Sequence, residues 1–421
     1  MDKEENICDI VIVGAGICGL STALALHRKG IKSVVLERAE TIKAKGAGII
    51  VHSNGWRALD QLGIASNLRK TAILVQSGQY ITINSGVRKN LAIGKGELRC
   101  LKRADVIRSL AESLPPQTLR FNSQVCSVEL NPFTSHPIIQ LQDGTRLNPK
   151  VVIGCDGVKS LISNDTFGQN YTKYLSTSVV RGFTNYEYSH GFGNKFVVMS
   201  DGKAQLGRMP VTHNLVYWFV TRKCTIPPSS QSSTRDHYDS PAEIKESTLR
   251  TMKGFPKEVV EMISKSVLSS LHLTDIIKYR APWSLLGIGT RFRRGTVTVA
   301  GDAMHAMGPF LAQGGSAALE DAVVLARCLA PKLYEYYYCS SSSSPSPHPH
   351  LIRSNTKMVE EAFDEYLKER KKRVFKLCME SYLVGLMVDT PSSLLKFLAG
   401  IAMALLFPDP FAHSSYDCGR L

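Results

Sequence analysis

Three stretches of the chain set glycines and an acid directly after an apolar run, and each has the makings of a nucleotide site. The first is "GAGICG", Gly14–Gly19, preceded by "CDIVIV". Gly14 would permit a tight turn, Gly16 would let the backbone approach a pyrophosphate, and Gly19 would let the next helix pack close to a sheet. That helix would offer free N–H groups and a positive dipole end to phosphates. Glu37 lies 23 residues beyond Gly14, at the end of the next apolar run, where an acid accepts hydrogen bonds from a ribose. An acid there disfavours a 2′-phosphate, so the turn suits FAD or NAD better than NADP.

The second stretch, "VTVAGDAMHAMGPFLAQGGSAALEDAVVLARCLA", begins at Val297. Asp302 falls just past a strand, at the carboxyl edge of a sheet, and could accept from a ribose or polyol hydroxyl. Gly314 and Gly315 precede Leu319, Ala322, Val323 and Ala326, which recur at helical spacing. N–H groups at that helix start suit a carbonyl-rich ring edge that becomes anionic on reduction. The third stretch, "VVIGCDGVKS", carries Asp156 and Gly157. His305 reads as a loop histidine satisfied by backbone, with acid–base work as the competing reading. In "YWF", alternation puts Tyr217 and Phe219 on one strand face, lining a pocket or packing a core. Arg181 and Arg208 are candidates to meet a substrate carboxylate, or else solvated surface cations.

The elements that position these residues follow from pattern. "CDIVIVGAG", "CGLSTALALHRKG" and "KSVVLER" form a βαβ unit, with Gly30 as the helix C-terminal cap. Short alternating runs from about Gln76 to Leu91 read as antiparallel strand, and Asp143–Gly144 as a hairpin turn. Strand-like runs such as "KFVVMS" and "NLVYWFVT" fill a second, mostly antiparallel region between Tyr171 and Tyr279. Two Pro/Ser-rich stretches, "RKCTIPPSSQSSTRD" and "CSSSSSPSPHPH", read as mobile loops.

Composition narrows the classes. The chain has 421 residues, 43% hydrophobic and 21% charged, enough for two or three soluble domains. A net charge of +15 favours anionic ligands. No basic stripe interleaved with aromatics points to nucleic acid. The densest basic run, "KERKKR" at Lys368–Arg373, reads as a solvated helix face. Ten cysteines without metal-ligand spacing argue for a reduced, cytoplasmic setting and against a metal site. "FLAGIAMALLF", Phe397–Phe407, is eleven residues long and too short to span a bilayer. It reads as a buried or surface-docked helix, with peripheral membrane contact left open.

Together, "GAGICG", "GCDGVKS" and "AGDAMHAMGPFLAQGGSAALEDA" resemble the class A flavoprotein monooxygenases, the aromatic hydroxylase group. "GWRALDQLG", "GELRCLKR", "VYWFVT" and the terminal "DCGRL" extend the resemblance to the plant monooxygenase and 3-hydroxybenzoate 6-hydroxylase-like branch, nearly end to end. The resemblance implies an α/β fold: a glutathione-reductase-type, Rossmann-like FAD domain with an inserted, mostly antiparallel substrate domain and a helical C-terminal region. The implied FAD domain spans 1–75, 97–165 and 280–335, the substrate domain 76–96 and 166–279, and the helical region 336–421.

It further implies that Gly14, Gly16 and Gly19 face the FAD pyrophosphate and Glu37 the adenosine ribose. Arg38 would lie near the adenine, Arg103 would contact FAD from a helix, and Val125 would meet the adenine through a strand. Asp302 would hold the ribityl chain and Asp156 would build the nucleotide side of the cleft. Pro309 would sit beside the reactive flavin edge, and Gly314 and Gly315 would donate to the pyrimidine ring. Pro309, Tyr217 and Arg208 are the candidate catalytic residues.

The implied reaction spends NADPH or NADH and O2 to insert one oxygen into a small aromatic or alkene-bearing metabolite, through a flavin C4a-hydroperoxide. Epoxidation, oxidative rearrangement or a weakly active FAD-binding redox sensor are the alternatives, and the chain would be a monomer or a dimer. Two positions depart from the family pattern. Ala306 replaces a proline after His305, and Ala312 replaces the first glycine of Gly-Gln-Gly. If position 312 needs a positive φ, its Cβ strains the loop.

Overall fold

The computed structural model describes residues 3–5, 8–42, 48–91, 93, 96–168, 172–223, 240–286, 292–341, 349–409 and 411–421. Most of both Pro/Ser-rich stretches lies outside the described residues. The helices below carry the labels used throughout.

The first sheet has six strands, in the order Arg293–Arg294, Val297–Val299, Val151–Gly154, Ile10–Val13, Val34–Leu36 and Leu119–Arg120. Its four pairings from Val297–Val299 onward are parallel, and the Arg293–Arg294 edge is antiparallel. The three central strands read VTV, VVIG and IVIV and are buried throughout, because helices cover both faces of a parallel sheet. Helix α1 (Ile17–Arg28) follows the first glycine turn and is buried from Ile17 to Leu26. Gly30 ends it at φ +68°, as its cap position predicts. Helices α2 (Ser53–Gln61) and α3 (Arg103–Glu112) pack on the same core. The hairpin at Asp143–Gly144 forms, with the Thr145 N–H donating to Asp143 Oδ1 at 2.9 Å.

The second sheet has seven strands, in the order His272–Thr274, Thr177–Asn185, Leu215–Lys223, Ala204–Pro210, Lys195–Ser200, Ser77–Thr82 and Arg88–Leu91. All pairings are antiparallel except Lys195–Ser200 with Ser77–Thr82. The run from Gln76 to Leu91 is therefore strand, as its alternation predicts, but it joins a sheet whose other strands lie a hundred residues downstream.

The two faces of this sheet have separate cores. Trp218, Val216, Val220 and Leu206 lie under helices α4 (Pro241–Thr251) and α5 (Lys257–Ser264). The buried Trp218 Nε1 donates to Ser266 Oγ at 3.0 Å. Tyr217, Phe183 and Met209 pack the other face against Val75, Leu98 and Cys100, toward the first sheet.

Helix α6 (Gly314–Ser341) packs on α1 and carries helix α7 (Pro349–Asp389), which leads to helix α8 (Ser393–Leu406). The last residues return to the first sheet's layer. Arg57 donates to the carbonyls of Ser415 and Tyr416, and the Leu421 N–H donates to Gln61 Oε1 at 3.0 Å.

The Lys368–Arg373 run is not simply a solvated face. It lies on α7, and Arg370 is fully buried while Arg373 is partly so. Both guanidinium groups reach back to acids on α6, which no helical-face reading of the run alone would supply.

Candidate active site

The glycine turn divides its three positions between packing and open space. A Cβ on Gly14 would lie 2.6 Å from the Cys155 carbonyl oxygen, and one on Gly19 would lie 1.9 Å from the Gly14 carbonyl oxygen. These two glycines are demanded by the protein itself. A Cβ on Gly16, which caps α1, would meet nothing within 4 Å. The space above Gly16 is where a pyrophosphate fits, in front of the unpaired first-turn N–H groups of α1.

Glu37 is clamped beside this turn. Its Oε2 accepts from the Ala15 N–H at 3.0 Å and its Oε1 from the Ala39 N–H at 3.0 Å. Each oxygen keeps a lone pair for a ribose hydroxyl. Arg38 follows and is exposed. The segment leading into the strand of Val125 runs alongside, with the Ser123 N–H donating to the Glu37 carbonyl at 2.9 Å. The residues expected around an adenosine are thus brought together.

At the other end, Asp302 and Pro309 are exposed and bracket the loop before α6. Asp302 Oδ1 lies 4.0 Å from where a Gly314 Cβ would be, so the acid and the helix start share one rim. A Cβ on Gly315 would strike Ile49 at 2.7 Å. Ala312 has φ +52° and ψ +30°, the left-handed conformation at which the sequence expects strain.

Across from Asp302 the chain places a series of cations and a phenol. Burial lowers the Arg103 pKa, Asp302 opposes that effect and Arg181 adds to it, so both lie within electrostatic range of Arg103. Arg181 donates to Thr274 Oγ1 at 3.1 Å and lies close enough to the Tyr217 phenol to act on it electrostatically. Burial raises the Tyr217 pKa, keeping the phenol a proton donor. Phe183, paired with Tyr217 across the strands, adds a ring 5.6 Å away.

Arg208 is not part of this group. It stands opposite Trp218 in the sheet register and so points to the far face, where it stacks 3.9 Å over Phe192. Its expected catalytic role is corrected on this ground: strand alternation puts Tyr217 and Arg208 on opposite sides. Asp156 is corrected in part. Its Oδ2 accepts from the Leu161 N–H at 2.8 Å and so fastens its own turn. Its buried Oδ1 has no hydrogen-bond partner among the described residues, and burial raises its pKa.

His305 also departs from expectation. It is fully buried and its ring is held by a carboxylate rather than by backbone, with Nε2 2.6 Å from Asp321 Oδ2. The same oxygen accepts the Gly301 N–H at 2.8 Å, and Arg370 Nε donates to Asp321 Oδ1 at 2.7 Å. Beside it, Glu320 joins Arg370, Arg373 and Asn54, and Asn54 donates to Gln313 Oε1 at 2.8 Å. This buried network pins both ends of the loop from Gly301 to Gly314.

Arg280 is a further residue that the sequence did not point to. Its Nη2 donates to Ser163 Oγ at 2.9 Å, and it interacts by charge with both Asp156 and Asp302. Nothing in its local sequence announces this, because its partners lie on two remote loops.

The glycine cradle, the clamped Glu37 and the Asp302–Gly314 rim fit FAD, and the comparisons agree. Residues 7–335 match the family described as the FAD binding domain. Monooxygenase 1 of Arabidopsis thaliana is 43% identical over 98% of this chain and 99% of its own length. A 3-amino-4-hydroxybenzoate 2-monooxygenase of Streptomyces platensis is 28% identical over 76% of this chain and 79% of its own. Among solved structures, Klebsiella pneumoniae HpxO complexed with FAD and uric acid overlays with a TM-score of 0.73 at 21% identity, covering 97% of this chain and 94% of that one. The chain belongs to the FAD binding domain family and is a class A FAD-dependent monooxygenase.

Proposed function

We propose that the protein consumes NADPH or NADH and O2 to hydroxylate a small, anionic aromatic metabolite. The observation that carries this is the row Asp302, Arg103, Arg181 and Tyr217, which joins the cofactor loop to a cationic and phenolic wall. A carboxylate or phenolate would be drawn to Arg181 and oriented by the Tyr217 hydroxyl. The name of the Streptomyces relative, which denotes an aromatic carboxylate, supports the same class.

The balance of the reaction is RH + O2 + NAD(P)H + H⁺ giving ROH + H2O + NAD(P)⁺. FAD, when bound, supplies the electron transfer and oxygen activation. The chain supplies placement. Gly14, Gly16, Gly19 and the α1 N-terminus would hold the pyrophosphate, Glu37 with Arg38 and Val125 the adenosine end, and Asp302 with Arg103 the polyol. The first-turn N–H groups at Gly314 and Gly315 would be available to the flavin's pyrimidine ring and would favour negative charge there. Pro309 gives the exposed loop a fixed φ on the side where the ring would lie. Phe183, Met209 and Tyr217 form the apolar wall that keeps bulk water out.

The test is incubation of the FAD-loaded protein with ¹⁸O2, NADPH and a set of hydroxybenzoates and related aromatic acids, read by mass spectrometry. A product with one ¹⁸O on the ring is expected. NADPH loss with labelled peroxide alone would remove the hydroxylase reading.

A further inference from the structure

Helix α8 breaks the usual rule for a surface helix. Its sequence is SLLKFLAGIAMALL, and Ala399 is its one buried residue. Leu394, Phe397, Leu405 and Leu406 are 66%, 66%, 76% and 62% exposed, and Leu395, Leu398 and Ile401 are exposed as well. At about 100° per residue these positions sweep about half the helix circumference. Its inner side rests on the end of α7, near Met387. Lys396 is its single charge. A patch of this kind marks a binding surface.

The patch continues onto a rim of a different composition. The turn at Thr390 and Pro391, just before α8, lines a cleft of about 250 Å³ together with Tyr174, Tyr279, Phe310 and Tyr382. Around its mouth, Trp283 and Tyr174 are exposed, and Trp283 stands edge-on to Tyr382 at 5.4 Å. Lys278 lies 5.5 Å over the Tyr174 ring, Lys173 is exposed on the paired strand, and Lys159 is close enough to influence Lys278. Asp389, an acid on this rim, is engaged by the Ser176 N–H at 3.1 Å and by the Thr177 hydroxyl.

We propose that α8 and this lysine–aromatic rim seat the protein on an anionic phospholipid bilayer. A 14-residue helix reaches about 21 Å, short of the roughly 30 Å hydrocarbon core, so it lies along the interface. No described helix is long and apolar enough to cross. Tryptophan and tyrosine favour the headgroup level, and lysines beside them favour acidic lipid. The net charge of +15 acts in the same direction. An exposed, almost wholly aliphatic face flanked by lysines and aromatic rings suits acyl chains and acidic headgroups better than a protein partner. The cleft then opens at the membrane surface.

The FAD-loaded full chain is floated with phosphatidylcholine vesicles, with and without phosphatidylserine. Flotation is expected with phosphatidylserine, at least tenfold weaker without it, and weakened by salt. Phe397→Glu with Leu405→Glu should reduce it at least tenfold while FAD content and far-UV circular dichroism are kept. A second readout needs no variant. Trp283 is exposed while Trp56 and Trp218 are buried, so brominated lipid should quench Trp283 alone. Absence of both flotation and quenching would overturn the proposal. So would a wild-type dimer that floats with neither vesicle and becomes monomeric in the double variant, which would make α8 a contact between copies.

Discussion

On the cofactor side of the cleft, recognition is built from backbone and from absent side chains. Gly14 and Gly19 lack a Cβ because the neighbouring strand turn leaves no room, and Gly16 lacks one where the protein leaves space open. On the proposed substrate side, recognition would be built from side chains standing on a sheet: Arg181, Tyr217 and Phe183. A glycine turn works through local φ, ψ and spacing, so a short stretch of sequence specifies it. A sheet face works only after distant strands have paired. The cofactor wall should therefore fail abruptly when altered, and the substrate wall should fail selectively.

The sharpest contrast lies within the turn itself. Gly19→Ala puts a methyl 1.9 Å from the Gly14 carbonyl oxygen, a backbone atom that cannot swing aside. Its cost exceeds the usual 1–3 kcal/mol or so of overpacking, and near-complete loss of bound FAD is expected. Gly16→Ala meets no protein atom, so the apoprotein should melt within a few degrees of wild type while FAD affinity falls about tenfold. Retained flavin after gel filtration and apoprotein melting separate the two. Equal damage from both would show that the space at Gly16 is not kept for a ligand.

The two arginines test the substrate wall. Arg181→Ala should lower kcat/KM for an anionic aromatic substrate about 100-fold, the scale of a lost charge-assisted hydrogen bond of about 2–3 kcal/mol, with FAD content unchanged. Arg208→Ala removes the guanidinium stacked on Phe192 on the far face. It should lower the melting temperature and leave kcat/KM within about twofold. The reverse result would invert the assignment of faces.

Smaller, and dependent on pH, is the contribution of the buried network behind the loop. Burial alone would raise the Asp321 pKa, but His305 and Arg370 outweigh it and pull it down to about 2. A depressed folded-state carboxyl gives stability that is present above its unfolded value, near 4, and lost as pH falls toward 2. The loss should be on the order of 2 kcal/mol between those limits, seen as a steeper fall in melting temperature there than between pH 7 and 5. Asp321→Asn, already destabilised by removing one of the two carboxylates that pair with Arg370, should lack that extra acid-limb slope.

These cases show which parts were legible in advance. The three strand-to-glycine connections are legible because their spacing is local: each apolar run is a strand of the first sheet and each runs into its glycine turn. "YWF" announced that two rings share a face, but only the register of Trp218 with Arg208 decides which face each arginine takes. Arg370 was read as solvated because its own helix is rich in charge. Its burial depends on Glu320 and Asp321, about fifty residues earlier, and helix-to-helix packing leaves no local mark. Arg280 was missed for the same reason.

Ala312 gives the smallest expected effect and bears on both walls, since its loop runs from Pro309 to Gly314. At φ +52° an L-residue carries about 1–2 kcal/mol of left-handed strain. Ala312→Gly removes that strain but frees the unfolded chain by about 0.4–1 kcal/mol, leaving a net gain near 1 kcal/mol. Spread over the unfolding entropy of a chain this long, the gain raises the melting temperature by about 1 °C. Ala312→Val, with a branched Cβ in the same conformation, should lower it by several times as much. Melting followed by intrinsic fluorescence resolves both shifts. A glycine variant that melts lower than wild type would mean that the methyl at Ala312 contributes packing worth more than its strain, and that the loop is held by contact as well as by the network at its two ends.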